Sequence, residues 1–90
     1  MSKTYRGYTF EQVAKTIDHS ILKPDFVTRD IEEGCALALK YDVATVCIRP
    51  MDVALTAKLL AGSDVKVATV IGFPHGTTTT VAKVAEAIDA

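Results

Sequence analysis

Apolar and polar residues alternate along the chain with two different periods. The runs at 44–48 and 65–71 are short, apolar and rich in β-branched residues, which is typical of buried strands. A later stripe has the i, i+3, i+4, i+7 spacing of a helix and consists of Val81, Val84, Ala85 and Ile88. Strands that alternate with helices through short connections predict an α/β protein with a parallel sheet.

Local signals mark the first helix and the first strand. Thr9 and Gln12 have the spacing of a capping box, which predicts a short helix through about Lys15. Residues 16–19 follow as a short strand, and Pro24 prevents this segment from continuing far as regular structure.

Two further helices are predicted from the residues at their ends. Thr28 can cap a helix whose first turn is acidic, where the helix dipole favours negative charge. Pro50 suits the first turn of the next helix, and Gly62 suits its left-handed end. The predicted order is therefore one helix followed by three β/α units.

Composition and charge narrow the class of protein. Of the 90 residues, 49% are apolar and only 7% are aromatic, which suits helices packed tightly on a sheet. The formal net charge of −1 gives no electrostatic footprint for nucleic acid or an acidic membrane surface. The sequence shows no secretion leader and no apolar run that could span a membrane, and its two cysteines lack CxxC spacing. We therefore expect a cytoplasmic protein with reduced thiols.

Polar residues fall where the predicted strands end. Asp18 and Ser20 close the first strand, Cys47 and Arg49 close the second, and the turn at 72–76 closes the third. In parallel β/α folds, the carboxyl ends of the strands carry the ligand site. Alternation puts Asp18 and Ser20 on one face of their strand, and it does the same for Cys47 and Arg49. We expect these polar groups to converge at one end of the sheet.

Each of these features also has a purely structural interpretation. Asp18 could cap a helix or pair with a base, Cys47 could be a small core residue, and Arg49 could lie exposed at a helix start. His19 alternates to the face opposite Asp18, which favours packing against a helix. The two histidines are far apart in sequence and make no metal signature. The glycine spacing of the turn at 72–76 matches no phosphate loop, and tight turn geometry explains it adequately.

Three segments resemble successive blocks of deoxyribose-phosphate aldolases. They read IDHSILKP at 17–24, ATVCIRP at 44–50 and SDVKVATVIGFPHG at 63–76, in the family's order and with helices of suitable length between them. The resemblance covers nearly the whole chain from about residue 9. It implies a parallel β/α (TIM) barrel, which typically needs about 250 residues. Residues 1–90 would then be the amino-terminal segment of a single barrel domain that is incomplete at its C-terminal end, with three β/α units and an N-terminal helix.

The resemblance also implies a reaction and a set of residue roles. The family cleaves 2-deoxy-D-ribose 5-phosphate reversibly to acetaldehyde and D-glyceraldehyde 3-phosphate through a lysine Schiff base, and it needs no metal or other cofactor. Asp18 matches an aspartate that supports the proton relay, and Ser20 matches a hydroxyl at its edge. Cys47 matches a cysteine near the substrate pocket. Leu22 matches a residue that lines the side of this pocket where the small aldehyde binds. The implied partners are small phosphorylated sugar and aldehyde substrates and further copies in a homo-oligomer, with no nucleic acid or membrane.

The Schiff-base lysine itself is not expected among these residues. A nucleophilic lysine needs burial or a nearby cation to be neutral at pH 7. Lys40, Lys58 and Lys83 fall in predicted helices, and Lys66 starts its strand at the end away from the site. Lys23 lies near the correct rim, but in a loop where little would desolvate it. Because the resemblance assigns the reactive lysine and its companion to later strands, we expect the isolated chain to be inactive.

Two other functions remain open at this point. Three parallel strands expose two sheet edges and one uncovered face, which favours a non-catalytic module that self-associates or complements other chains. A small anion-binding domain that uses the turn at 72–76 is the third hypothesis.

Overall fold

The computed structural model describes residues 4–90. An antiparallel hairpin of β1 (Thr4–Tyr5) and β2 (Tyr8–Thr9) leads into α1 (Phe10–Ala14). Three β/α units follow: β3 (Asp18–Ile21) with α2 (Thr28–Tyr41), β4 (Thr45–Ile48) with a 3-10 turn (Pro50–Asp52) and α3 (Val53–Leu59), and β5 (Lys66–Thr69) with α4 (Thr80–Asp89). The predicted succession of β/α units is confirmed, whereas the hairpin was not predicted.

The strands β3, β4 and β5 form one parallel sheet in that order, as the alternating pattern predicts. In the register of this sheet, Asp18 lies opposite Thr45, and Thr45 lies opposite Lys66. The next row toward the carboxyl ends contains Ser20, Cys47 and Ala68. Because side chains alternate along a strand, these two rows share one face of the sheet. We call it the open face, and its residues are Asp18, Ser20, Thr45, Cys47, Lys66 and Ala68.

The opposite face of the sheet is covered by α2 and α3. Val46 and Ile48 of β4 are fully buried there, together with Ile31 of α2. The core is mostly aliphatic and consists of Ile21, Ile31, Cys35, Ala38, Val43, Val46, Ile48, Leu60 and Val65. Gly34 lets α2 approach β3 closely, because a Cβ at this position would collide with the Ile21 side chain. Removal of this aliphatic surface from water stabilises the fold by roughly 25 cal/mol per Å².

The strand β3 begins two residues later than predicted from the sequence. The amides of Thr16 and Ile17 each donate to a carbonyl three residues earlier, at 3.0 Å, and close the turn after α1. These amides are therefore not available to extend the strand. The strand continues instead through Ile21, whose side chain is buried. Asp18 consequently opens the first strand, and the prediction that it closes this strand is wrong.

Helix starts follow the predicted signals only in part. The Thr9 hydroxyl accepts from the Gln12 amide at 3.1 Å, and the Gln12 side chain accepts from the Thr9 amide at 2.8 Å, so the capping box is present. Thr28, predicted as the cap of α2, is its first helical residue, and Val27 occupies the cap position. The Asp30 carboxylate accepts from the Val27 amide at 2.8 Å and thereby satisfies one of the free amides at the helix start.

The helix α4 forms where the apolar stripe predicts it, but the stripe itself is exposed. Val81 and Ile88 are each 80% exposed, and Val84 is 51% exposed. The helix is attached through its other side, where the Glu86 carboxylate accepts a hydrogen bond from the Gly72 amide at 2.9 Å. Within the described residues the stripe therefore covers no strand.

Helix length bears on the question of membrane insertion. The longest helix in the described range is α2, with 14 residues, and about 20 are needed to cross a bilayer. None of the helices in residues 4–90 combines the length and the apolar character of a membrane span.

Candidate functional site

The first feature of the candidate site is a contact between two strands on the open face. The hydroxyl of Thr45 donates a hydrogen bond to the carboxylate of Asp18, directly across the β3–β4 pair. Asp18 is exposed and Thr45 is half-buried. The partner of Asp18 in this contact is a strand hydroxyl rather than a helix end or a base, which holds the carboxylate on the open face.

Ser20 and Cys47 form the next row of the site. They lie opposite each other in register and are two residues closer to the carboxyl ends than Asp18 and Thr45, on the same face. Ser20 is exposed, whereas Cys47 is only 7% exposed because β4 is flanked by strands on both sides. Burial raises the pKa of the Cys47 thiol, and the negative charge of Asp18 raises it further. Such a thiol is neutral at pH 7 and is not activated as a nucleophile.

Lys66 belongs to the same row as Asp18 and Thr45. The prediction that Lys66 starts its strand, at the end away from the carboxyl ends, is confirmed, because Lys66 is the first residue of β5. Lys66 nevertheless lies in the same row as Asp18, because β3 begins at Asp18 instead of ending near it. Adjacent strands are about 4.8 Å apart, so the Cα atoms of Asp18 and Lys66 are separated by roughly 10 Å.

Leu22 lies apart from the other predicted site residues. It lines a cavity of about 280 Å³ at the carboxyl ends of the strands. Asp18, Ser20 and Cys47 are not among the walls of this cavity, which are Leu22, Pro24, Arg49, Pro50, Val70, Phe73, Pro74 and Glu86. The structure therefore brings three of the four predicted site residues onto one face and places the fourth at the rim.

Arg49 acts as a structural clamp at this rim. Its Nε lies 2.6 Å from the Asp52 carboxylate, and the two side chains are only 14% and 12% exposed. Its Nη1 also donates to the carbonyl of Pro24 at 3.2 Å. The interpretation of Arg49 as an exposed side chain is thus wrong, because these contacts tie the loop after β3 to the end of β4.

The turn at 72–76 is poorly suited to bind an anion. Its Gly72 amide already donates to the Glu86 carboxylate, and the Gly76 amide donates to the Gly72 carbonyl at 2.6 Å. A carboxylate in this position repels a second anion. The hypothesis of a small anion-binding domain that uses this turn therefore loses its physical basis.

The histidines lie away from the open face. His19 points to the helical side of the sheet, where it lines a groove together with Leu37 of α2, in agreement with its predicted packing role. His75 lies exposed in the turn after β5. Between residues 4 and 90, no three side chains of His, Cys, Asp or Glu come together in a group that could hold a metal ion.

Two polar residues of the open face, Thr45 and Lys66, were not predicted as site residues. Alternation from Cys47 already placed Thr45 on the same face of its strand. The contact between Thr45 and Asp18 depends on the register between β3 and β4. This register cannot be predicted from the pattern within a single strand. The same limit applies to Lys66, whose level relative to Asp18 is set through β4.

Proteins with similar sequences include several deoxyribose-phosphate aldolases, although no protein-family model matches the chain. A deoxyribose-phosphate aldolase of Clostridium perfringens is 55% identical over 80 residues, which cover 89% of this chain and 36% of that protein. A deoxyribose-phosphate aldolase of Rhodopirellula baltica is 49% identical over 80 residues, which cover 89% of this chain and 33% of that protein.

Solved structures with a similar fold are also described as deoxyribose-phosphate aldolases. A candidate deoxyribose-phosphate aldolase from Coccidioides immitis superposes with a TM-score of 0.88 at 40% identity, over 96% of this chain and 34% of that one. The tetrameric deoxyribose phosphate aldolase from Aeropyrum pernix gives 0.74 at 29% identity, over 88% of this chain and 34% of that one. The chain spans about a third of the length of the curated relatives that it matches. It is therefore homologous to the deoxyribose-phosphate aldolases over that part of their length.

Proposed function

We propose that this chain supplies the first three β/α units, preceded by α1, of a deoxyribose-phosphate aldolase barrel. The reaction is the reversible cleavage of 2-deoxy-D-ribose 5-phosphate to acetaldehyde and D-glyceraldehyde 3-phosphate through a lysine Schiff base. The observation that carries the proposal is the Thr45–Asp18 hydrogen bond on the open face of a parallel sheet. Residues 1–90 would be the amino-terminal segment of a single barrel domain, and the open face would become part of its interior.

The size of the side chains on the open face supports this assignment. Barrel interiors are usually filled by bulky branched residues. Apart from Asp18 and Lys66, the two rows here contain only small residues, which are Thr45, Ser20, Cys47 and Ala68. A closed barrel with these residues has unfilled space beside Asp18, and a small sugar phosphate is a suitable occupant of that space.

In this proposal Asp18 supports proton transfer during carbon–carbon cleavage. The Thr45 hydroxyl occupies one oxygen of the carboxylate and fixes its orientation. The second oxygen can exchange a proton with a neighbouring group or a bound water. Ser20 lies on the same face, one row nearer to the carboxyl ends, where its hydroxyl can donate to or accept from the substrate.

Cys47 and Leu22 are proposed as walls of the substrate pocket. The thiol of Cys47 has a raised pKa, so it offers a small neutral surface beside Asp18. Leu22 lines the rim cavity above the strand ends, where an apolar wall suits the small-aldehyde side of the substrate.

The nucleophilic lysine is proposed to come from outside this segment, so that the isolated chain is inactive. The Lys15 ammonium lies 2.8 Å from the Asp42 carboxylate and donates to the Val43 carbonyl at 3.2 Å. Lys66 lies level with the Asp18 carboxylate. A Schiff-base lysine needs an amine that is free to attack a carbonyl, and the resemblance assigns that lysine to later strands.

Borohydride trapping tests the inactivity of the isolated chain. We expect no covalent adduct when the 90-residue chain is incubated with 2-deoxy-D-ribose 5-phosphate and sodium borohydride. A complete aldolase treated in parallel provides the positive control. A reduced adduct located on any lysine of this chain by peptide mass spectrometry would contradict the proposal.

A chimera tests the assignment of the reaction and of Asp18. The segment of 80 residues in the Clostridium perfringens aldolase that matches this chain is replaced by the residues of this chain. We expect the chimera to cleave 2-deoxy-D-ribose 5-phosphate, and Asp18→Asn to lower kcat by about 100-fold. Asp25→Asn, at an exposed loop carboxylate, is the matched control. A folded but inactive chimera rejects the aldolase assignment, and full activity of Asp18→Asn rejects the relay role.

We also propose the partners and the location that follow from this function. The substrates are small phosphorylated sugars and aldehydes, and the protein is cytoplasmic. The relative from Aeropyrum pernix is described as tetrameric, which supports a homo-oligomer here as well.

A second candidate function, a non-catalytic assembly module, is favoured by two exposed apolar surfaces. One is the stripe of α4, in which Val84 is 51% exposed. The other is a groove of about 250 Å³ between α1 and α2, near the free edge of β3, and its walls are Phe10, Ala14, Ile17, His19, Leu37, Ala38, Tyr41 and Val43. The stripe of one copy could pack into the groove of another while the edges of β5 and β3 pair in parallel.

Sedimentation velocity distinguishes the assembly module from a monomeric segment. If the module exists, the wild-type chain associates with increasing concentration, and Val84→Asp and Leu37→Asp are each monomeric. A mixture of the two variants forms a capped 1:1 dimer, because each retains the half of the interface that the other lacks. Met51→Asp, at a site 79% exposed, is the control that leaves association unchanged. A wild-type chain that stays a folded monomer at all concentrations rejects the module.

A further inference from the structure

Lys66 is a charged side chain on the open face that the proposed reaction does not use. It is exposed, and it is the first residue of β5. Through β4 it shares a row with Thr45 and Asp18. A lysine at this place is unexpected on packing grounds, because its four-carbon stem and its charge both oppose a tightly filled interior.

The charge of Lys66 requires a partner if the open face becomes the interior of a barrel. Charged groups are almost never fully buried without an opposite charge or hydrogen-bonding partners. On the open face, the titratable groups are Asp18 on β3, Cys47 on β4 and Lys66 on β5. Burial and the charge of Asp18 raise the pKa of Cys47, so this thiol carries no charge at pH 7. Among the open-face residues, Asp18 is therefore the anion available to Lys66.

The distances allow the two charges to meet above Thr45. The Cα atoms of Asp18 and Lys66 are roughly 10 Å apart, because two strand spacings separate them. A lysine side chain spans about 6 Å, and its ammonium has three donors that can turn toward a carboxylate. Thr45 has a short side chain and already donates to Asp18, so it leaves the space above it free for the ammonium.

We propose that Lys66 is a positioning residue of the site, which acts on the reaction through Asp18. When the open face is enclosed in the barrel, the Lys66 ammonium and the Thr45 hydroxyl hold the two sides of the Asp18 carboxylate and fix its direction. The inference rests on the proposed aldolase function for its effect on catalysis. The spatial part, contact between the Lys66 ammonium and the Asp18 carboxylate in the enclosed barrel, can be tested without activity.

Zero-length cross-linking tests this contact in the folded chimera, where the open face is enclosed by the remaining strands. A carbodiimide activates carboxylates and couples them to amines that touch them. We expect an amide between Asp18 and Lys66, identified by peptide mass spectrometry, and its loss in Lys66→Met. The Lys15–Asp42 pair, with its atoms 2.8 Å apart, is the internal positive control. If the control pair cross-links and Asp18 and Lys66 do not, the proposal is overturned.

A double-mutant cycle in the active chimera tests the effect on catalysis. We expect Lys66→Met to lower kcat by about 10-fold with little change in KM, and Lys66→Arg to restore most of the activity. In the Asp18→Asn background, Lys66→Met should cause no further loss, because the residue through which it acts has lost its charge. Lys58→Met, on the exposed side of α3, is the matched control.

The two experiments separate the inference from the function on which it rests. An inactive chimera with a clear Asp18–Lys66 cross-link rejects the aldolase function and retains the contact. An active chimera in which Lys66→Met has full kcat rejects the positioning role and retains the aldolase. Additive losses in the cycle also overturn the inference, since they would show that Lys66 acts independently of Asp18.

Discussion

The hydroxyl of Thr45 donates a hydrogen bond to the carboxylate of Asp18, and the two residues lie directly opposite each other on β3 and β4. A hydrogen bond to an ionised group contributes about 1.5–3 kcal/mol, which is more than a bond between neutral groups. The contact also joins two strands whose other open-face neighbours, Ser20 and Cys47, belong to the same candidate site.

Thr45→Val should lower the activity of the chimera without disturbing its fold. Valine retains the shape and the strand preference of threonine but removes the hydroxyl that orients Asp18. We expect kcat to fall by about 10-fold, in line with the loss of one hydrogen bond to a charged group. Thr45→Ser keeps the donor and should retain most of the rate. Steady-state kinetics check both variants, and equal rates for Thr45→Val and wild type would remove the orienting role.

Asp18→Asn should make the Cys47 thiol easier to ionise. The pKa of Cys47 is raised first by burial and then by the charge of Asp18, and the substitution removes only the second cause. The thiol should therefore alkylate faster at a fixed, mildly alkaline pH, although its pKa stays above the ordinary value. Peptide-resolved mass spectrometry of iodoacetamide labelling follows Cys47 separately from Cys35. Asp25→Asn should leave the rate unchanged, and an unchanged rate in Asp18→Asn would show that the two groups do not interact.

Stability should decrease as the pH rises above about 8.5, the ordinary pKa of a thiol. Burial raises the pKa of Cys35 in the folded state, and the Thr56 hydroxyl offsets part of this increase. Above the unfolded pKa the folded chain binds more protons than the unfolded chain, so the free energy of unfolding falls with pH. The stability that comes from the raised pKa of Cys35 is fully present below the unfolded pKa. It is lost as the pH rises through the folded pKa.

Urea unfolding at several alkaline pH values measures this slope, with Cys35→Ala as the comparison. The variant is less stable overall because it leaves a cavity, but its free energy of unfolding should depend less steeply on pH. Identical slopes for the two proteins would show that Cys35 does not contribute.

Arg49→Met should destabilise the chain strongly. It leaves the Asp52 carboxylate, which is 12% exposed, without its cation, and it removes the donor to the Pro24 carbonyl. We expect a loss of about 3 kcal/mol in urea unfolding. Adding Asp52→Asn should recover part of the loss, because the unpaired charge is removed. Arg29→Met breaks an exposed pair on α2 and should cost less than about 0.5 kcal/mol; a similar cost for both would refute the clamp.

The sequence predicts the β/α succession and the faces of the strands well, because both depend on local periodicity. The capping box at Thr9 and the common face of Asp18 and Ser20 follow directly from spacing. The limits of β3 were misplaced because the turn after α1 uses the amides of Thr16 and Ile17, a choice that depends on hydrogen bonds rather than on hydropathy.

Relations between elements could not be predicted in the same way. The burial of Arg49 depends on a carbonyl in a distant loop, and the level of Lys66 relative to Asp18 depends on two strand registers. The exposure of Val84 also escaped prediction, since periodicity identifies an apolar side of a helix but not the surface that covers it.

The two sides of the sheet have separate roles: one carries the aliphatic core residues, and the other carries the candidate site residues. In β3 the buried Ile21 alternates with the open-face Ser20, and in β4 the buried Val46 alternates with Cys47. Substitutions at even and odd positions of one strand can thus change either folding or site chemistry with little effect on the other. Evolution, or a designer, could alter the reactive groups of this chain residue by residue while the aliphatic packing that holds them stays constant.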